Sequence, residues 1–261
     1  MHEVRALGIF VGTGECNAHC PHCAGVPLRK DAPIEDNFHL MHETIKSCYE
    51  RGARSLTLTS SGEPTLSPLA VTQVLEIVKE LNISFDTINL YTNGIKIGED
   101  EKFCNEYLLR WKRLGLTTFH MTVHDTNSEK NARLYGVASY PPLETVVSRM
   151  KKAELAVRAN IVLTQGNCNI LRLTAQYLML KSLGFDGISV WPVRDPLTDE
   201  IDASKAPTKE QTDDLEVFHS AYQEFGIPVQ FYSEKHHQEV SLRGEKLTLF
   251  QNGTLANSWC K

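Results

Sequence analysis

The sequence predicts an α/β fold built around a parallel sheet, and three observations carry that prediction. Strand-like apolar runs alternate with helix-like segments from Arg5 to Val193, giving six strands. The strand interiors are apolar at consecutive as well as alternate positions, as expected where both sheet faces are covered. Strands joined through helices pair in parallel by right-handed crossovers. At 261 residues the chain fits one large domain. Periodicity alone leaves two architectures open, a doubly wound open sheet and a barrel or partial barrel.

The elements follow in order. RALGIFVG, Arg5 to Gly12, is a compact apolar run ending in glycine and forms the first strand. In HLMHETIKSCYERG, Leu40, Ile45, Cys48 and Tyr49 share one helical face and Gly52 provides the stop. RSLTLTSSGEP is a second strand that breaks into a turn. Ser67 is placed to cap the next helix, and Pro68 suits its first position. That helix runs through LAVTQVLEIVKELN. FDTINLYTNG is the third strand, ending at Asn93-Gly94, and EDEKFCNEYLLRWKRLG the third helix. TTFHMTVHD is strand four, and the helix in PPLETVVSRMKKAEL begins near Pro141-Pro142. VRANIVLTQGN, ILRLTAQYLMLKSLG and GISVWPV supply strand five, helix five and strand six. The polar stretch RDPLTDEIDASKAPTKEQ then reads as a linker, lid or functional loop. A helix around Asp213 to Phe225, the segment PVQFYSE and a hairpin around Asn252-Gly253 complete the chain.

Composition narrows the function classes. Apolar residues make up 41% of the chain, and the formal charge of -5 argues against a nucleic-acid-coating surface. MHEVRALGIFVG lacks the basic n-region and long apolar run of a signal peptide. No apolar stretch approaches the roughly 20 residues of a membrane span. Seven cysteines, three of them clustered, read as a reduced cytoplasmic protein that uses thiols for metal rather than for disulfides.

The cluster is GECNAHCPHCAG, with Cys16, Cys20 and Cys23 spaced C-x3-C-x2-C. Thiolates suit zinc or iron–sulfur clusters. A structural zinc site normally closes with four protein ligands, often two C-x2-C pairs. Only one such pair is present, and Cys48, Cys104, Cys168 and Cys260 are scattered singly. A [4Fe–4S] cluster held by three cysteines keeps one iron open to an external ligand.

A C-x3-C-x2-C loop directly after a first strand resembles the radical SAM superfamily. The resemblance implies a partial (β/α)6 TIM-like barrel over residues 1–200, with 201–261 as a C-terminal helix and hairpin extension. It implies that Cys16, Cys20 and Cys23 hold a [4Fe–4S] cluster whose open iron binds S-adenosylmethionine. Reductive cleavage then yields a 5′-deoxyadenosyl radical that abstracts a substrate hydrogen. His22 stands where the family has an aromatic near adenine. SGEP, Ser61 to Pro64, keeps three residues of the family's Gly-Gly-Glu-Pro, placing Gly62 and Glu63 at the amino group of the cofactor. Thr92 and Asn93 in YTNG, His124 after strand four, and Arg158 with Asn160 on strand five match polar cofactor contacts. Trp191 in ISVWPV occupies the strand-six place that shapes the adenine pocket. These positions gather near the C-terminal strand ends, where barrel active sites lie.

Several residues have plainer readings. Cys48 and Cys104 sit in helical patterns as core thiols. Cys168 lies just beyond strand five, and Cys260 is next to the terminus. His236-His237 sits in a polar segment, and Arg194 and Asp195 form a charged pair after strand six. Further C-terminal cysteine clusters of the SPASM type are absent from the sequence. The expected substrate is a small molecule or peptide, and the expected reductant a flavodoxin or ferredoxin. An enzyme installing a glycyl radical on a partner protein is the alternative, although TVHD replaces that family's usual fourth-strand segment. A zinc-binding interaction module is the more distant one.

Overall fold

The computed structural model describes residues 3–30, 38–195, 197, 198, 200–222, 226–233, 236 and 244–257. Six strands form in the expected order: β1 (Val4–Phe10), β2 (Ser55–Thr59), β3 (Thr87–Thr92), β4 (Thr118–Thr122), β5 (Ala156–Leu163) and β6 (Gly187–Pro192). Each pairs in parallel with the one before it. Between them run α1 (Phe38–Glu50), α2 (Pro68–Glu80), α3 (Ile95–Glu99), α4 (Glu101–Arg113), α5 (Ser128–Tyr135), α6 (Leu143–Lys152) and α7 (Ile170–Ser182), with α8 (Lys209–Tyr222) following β6. The result is a partial β/α barrel.

The chain after β6 widens the sheet at both edges. Strand β7 (Val229–Phe231) lies parallel to β6. Strand β8 (Glu245–Leu249) returns to lie parallel to β1, and β9 (Leu255–Ala256) folds back antiparallel on it. The nine-stranded order is β7-β6-β5-β4-β3-β2-β1-β8-β9. The turn at Asn252-Gly253 forms as expected, with Gly253 at φ 83° and the Phe250 N–H donating to Thr254 O at 2.8 Å.

Strand alternation divides the side chains. Leu56, Leu58, Leu90, Phe119, Met121 and Ile161 are buried in the layer beneath the helices. Trp111 of α4 is fully buried there, and its Nε1–H donates to Thr72 Oγ1 at 2.8 Å. Cys48 and Cys104 are buried in the same layer, as read from the sequence.

Two local expectations change. Ser67 flanks α2 but makes no side-chain capping bond, its Oγ lying against Gly12 instead, while its N–H closes a turn to Pro64 O at 3.0 Å. Helix α5 lies in a segment with no sequence-predicted element. Asn127 caps it by accepting from the Lys130 N–H at 3.0 Å, and Gly136 ends it at φ 65°.

Candidate active site

Residues 11–25 leave β1 and cross the C-terminal end of the barrel. Three backbone hydrogen bonds fix this loop, Val11 N–H to Thr59 O, Glu63 N–H to Glu15 O and His19 N–H to Tyr135 O, each at 2.7 Å, and just beyond it Arg29 Nε–H donates to Ser61 O at 3.0 Å. Gly62 is required by approach distance. A Cβ there would stand 2.0 Å from Glu15 O and 2.3 Å from Gly14 O, so the two backbones touch only because no side chain intervenes. Ser61 donates through Oγ to Gln251 Oε1 at 2.7 Å, and Gln251 Nε2 donates in turn to Gly12 O. The turn after β8 thus braces both the loop and the SGEP segment.

These elements enclose a cavity of about 260 Å³. Cys16, Cys20 and Cys23 line one wall, and Gly62, Glu63, Thr92 and Asn93 a second. His22, His124 and Tyr135 line a third, while Thr59, Tyr91, Thr122 and Val162 reach it from the strands below. His22 and His124 meet edge to face with ring centroids 4.8 Å apart, and His124 lies 4.4 Å from Tyr135.

Glu63 is the most heavily bonded group. Its Oε1 accepts from Thr65 N–H at 3.1 Å, Thr65 Oγ1 at 2.7 Å and Thr92 Oγ1 at 2.7 Å, and its Oε2 accepts from Asn93 N–H at 2.7 Å. Burial raises its pKa, against the four hydrogen bonds that favour the anion. Asn93 is held by its own partners: Nδ2 donates to Asn17 Oδ1 at 2.7 Å, and its carbonyl accepts from the Tyr140 hydroxyl at 2.7 Å.

Burial likewise raises the Cys16 thiol and pushes Cys20 up to about 12, with the neighbouring Cys16 and Cys23 thiols adding to the shift at Cys20. Arg29 donates to Cys23 Sγ at 3.6 Å. Burial holds His124 down to about 3 and also lowers His22, so both imidazoles are neutral near pH 7.

The donor set fits a cluster with S-adenosylmethionine. The neighbouring thiols disfavour ionisation of Cys16 and Cys20 until a cationic centre binds them. Among the described residues no three His, Cys, Asp or Glu side chains are gathered for a single ion. A polynuclear cluster, in which each thiolate takes its own iron, suits such spacing better. Glu63 is a buried carboxylate on the cavity wall with no lysine or arginine bridge among the described residues, which suits an ammonium group. His22 Nε2 and His124 Nε2 are buried at the same cavity without hydrogen-bond partners.

Nine of the twelve residues singled out from the sequence therefore surround one space. The structure does not bring Arg158, Asn160 or Trp191 to it. Arg158 and Asn160 share the face of Val162 but lie about 13 and 7 Å further down β5, at the usual rise per residue. Trp191 pairs in register with Val162, and its ring stacks on Tyr232 with centroids 3.5 Å apart. Asn17, Tyr91, Thr122, Tyr135 and Val162 were not legible as site residues. For Tyr135 the signal was the Asn127 and Gly136 boundaries of α5. The polar stretch after β6 turns back on itself: Arg194 bridges Ile201, and Gln165 N–H donates to Lys205 O at 2.8 Å. Lys205 comes near enough to His22 to help depress its pKa. Cys168 is half-buried outside the cavity, His236 Nε2 meets Gln230 Nε2 at 3.0 Å, and His237 and Cys260 lie outside the described residues.

A partial barrel with a three-thiol loop and a buried carboxylate over its C-terminal mouth defines a class of cofactor-dependent enzyme. The sequence profile of the radical SAM superfamily matches residues 10–189, and the chain belongs to that superfamily. A curated relative, the S-adenosylmethionine-dependent nucleotide dehydratase of Flammeovirga pacifica, is 24% identical over 163 residues, covering 59% of this chain. The chain spans 52% of that relative's length. Among solved structures, SuiB of Streptococcus suis bound to S-adenosylmethionine superposes with TM-score 0.69 at 16% identity, covering 98% of this chain and 58% of SuiB. anSMEcpe with bound AdoMet and the Cp18Cys peptide superposes with TM-score 0.68 at 18% identity, covering 97% and 73%. Among the described residues no helix is long and apolar enough to cross a membrane.

Proposed function

We propose that this enzyme reductively cleaves S-adenosylmethionine and abstracts a hydrogen atom from a small-molecule or peptide substrate. The observation that carries the reading is the shared cavity of the three cysteines and the uncompensated Glu63 carboxylate. Cys16, Cys20 and Cys23 hold the cluster, and Glu63 and Asn93 orient S-adenosylmethionine, with His22 and His124 at its side. When bound, the cluster and S-adenosylmethionine supply the electron and the 5′-deoxyadenosyl radical of the reaction. Hydrogen bonds from Thr65 and Thr92 fix Glu63 and favour its anion against burial, and the Tyr140 hydroxyl fixes Asn93.

The nucleotide dehydratase named above supports a small-molecule substrate. The structures of SuiB with precursor peptide SuiA and of anSMEcpe with Cp18Cys support a peptide. The first 200 residues carry the cofactors, and the C-terminal extension braces the mouth of the barrel through Gln251. A flavodoxin or ferredoxin in the cytoplasm supplies electrons.

The test is anaerobic reconstitution with iron and sulfide, followed by dithionite and S-adenosylmethionine. The reading expects 5′-deoxyadenosine from the wild type and none from Cys16→Ala, Cys20→Ala or Cys23→Ala. Formation of 5′-deoxyadenosine by any of the three variants at the wild-type rate overturns it.

A further inference from the structure

The third cysteine of the loop has a charged neighbour outside the C-x3-C-x2-C and SGEP segments. Arg29 Nη2 donates to Cys23 Sγ at 3.6 Å, while its Nε donates to Ser61 O at 3.0 Å. Two donors of one planar fork are thus in use, one on backbone and one on a thiol.

The local chain brings this arginine back to the sulfur. Val26 N–H donates to Cys23 O at 3.4 Å and Leu28 N–H to Gly25 O at 3.0 Å. A short 3-10 turn, Val26–Lys30, therefore starts at the third cysteine and carries Arg29 with it. Gly25 lets the segment lie against the turn after β2, since a Cβ there would stand 2.3 Å from Ser61 O, the carbonyl that Arg29 uses. Ser61 is itself buried and held through its Oγ by Gln251 Oε1 at 2.7 Å. The acceptor of Nε is fixed, and a planar guanidinium anchored at Nε has its remaining donors aimed.

Charge sets this contact apart from the neighbouring ones. Cys16 accepts from the Ala18 N–H, a neutral donor, whereas Arg29 brings a guanidinium. Its field also favours the thiolate at Cys16 and Cys20, and the Glu63 carboxylate opposes it at Cys16. Reduction adds one electron to a group that three thiolates already make anionic. A cation donating to one of those sulfurs stabilises the reduced form more than the oxidised one.

We propose that Arg29 is a positioning residue for electron uptake: its hydrogen bond to Cys23 raises the reduction potential of the cluster, with Ser61 O holding the guanidinium in place. The inference rests on the proposed function and deepens it, because it names a residue that sets how readily the electron is accepted. Hydrogen bonds to the sulfurs are among the factors that set the potential of an iron–sulfur centre.

The test is an anaerobic potentiometric titration followed by electron paramagnetic resonance. Wild type, Arg29→Gln and Arg29→Lys are each reconstituted with iron and sulfide and counted for iron. The potential is a property of each loaded cluster, so partial loading does not move it. Arg29→Gln is expected to shift the one-electron equilibrium about tenfold toward the oxidised form, about 59 mV lower, the scale of one hydrogen bond to a charged group. Arg29→Lys keeps the charge but loses the Nε anchor, and its potential is expected to fall between the other two. An equilibrium within twofold of wild type in Arg29→Gln, or Arg29→Lys no closer to wild type than Arg29→Gln, would overturn the proposal. If Arg29→Gln takes up no iron, Arg29→Lys decides, and a wild-type potential there would overturn it. A wild type that forms no reducible [4Fe–4S] cluster would refute the parent reading, whereas a normal wild-type cluster with unmoved variants would refute the role of Arg29 alone.

Discussion

Replacing Gly62 by alanine puts a methyl group where the structure has two backbone oxygens. The added Cβ would sit 2.0 Å from Glu15 O and 2.3 Å from Gly14 O, distances that real Cβ atoms do not show below 3.0 Å. Both oxygens belong to backbone, so no side chain can swing aside, and the cysteine loop must retreat by about 1 Å. Its retreat breaks the 2.7 Å bond from Glu63 N–H to Glu15 O and moves Cys16, the next residue. Overpacking of this kind costs about 1–3 kcal/mol, and the lost hydrogen bond adds about 1 kcal/mol. At about 2–4 °C per kcal/mol for a chain near this size, the apoprotein should melt about 5–15 °C lower. Differential scanning calorimetry of the metal-free protein reads this without the cluster. Iron analysis after reconstitution should show a deficit in the same variant. A melting temperature within 1 °C of wild type together with full iron loading would show that the two segments do not meet as described.

Other outcomes follow from the same geometry. Glu63→Gln removes the charge opposite the expected ammonium group and sets an amide hydrogen against a backbone donor. Equilibrium dialysis with S-adenosylmethionine should show about ten- to hundredfold weaker binding. Tyr140→Phe deletes the buried bond to Asn93 O and should cost about 1 kcal/mol in urea denaturation. Burial holds His120 and His219 down to about 4 in the folded chain, below the ordinary 6.5. A depressed folded pKa means the unfolded chain binds more protons, so this stability is fully present above pH 6.5 and is lost as pH falls toward 4. Each such group adds at most about 1.4 kcal/mol per pH unit to the slope, and His124, held down to about 3, adds to it in the same direction; the slope is read from urea midpoints at pH 7.5, 6.5 and 5.5. His219→Gln should make that slope shallower.

Much of this site is visible in the sequence because its chemistry is local. Cys16, Cys20 and Cys23 share one loop, and Gly62-Glu63 and Thr92-Asn93 each sit where an apolar strand breaks into a turn. Their convergence follows from parallel strands that all end on one side of the barrel. Depth within the barrel is different, because it depends on register between strands. Arg158 and Asn160 carry suitable chemistry on a suitable strand, but Val162, two residues beyond Asn160 on the same face, is the β5 side chain that lines the cavity. Helix α5 escaped because only Asn131, Ala132 and Tyr135 of its eight residues are buried, too few to show a periodic stripe. Gln251 could not be read at all, since its bond to Ser61 closes across 190 residues and depends on β8 pairing with β1.

The central claim is that three thiolates hold a cluster with one iron open to S-adenosylmethionine. It is tested most directly by electron paramagnetic resonance of the anaerobically reconstituted, dithionite-reduced protein, with and without S-adenosylmethionine, alongside iron and zinc analysis. The account predicts about four irons per chain, as a single [4Fe–4S] cluster requires, and a reduced-cluster signal that changes shape when S-adenosylmethionine is added. Stoichiometric zinc without such a signal, or a cluster signal indifferent to S-adenosylmethionine, would contradict it.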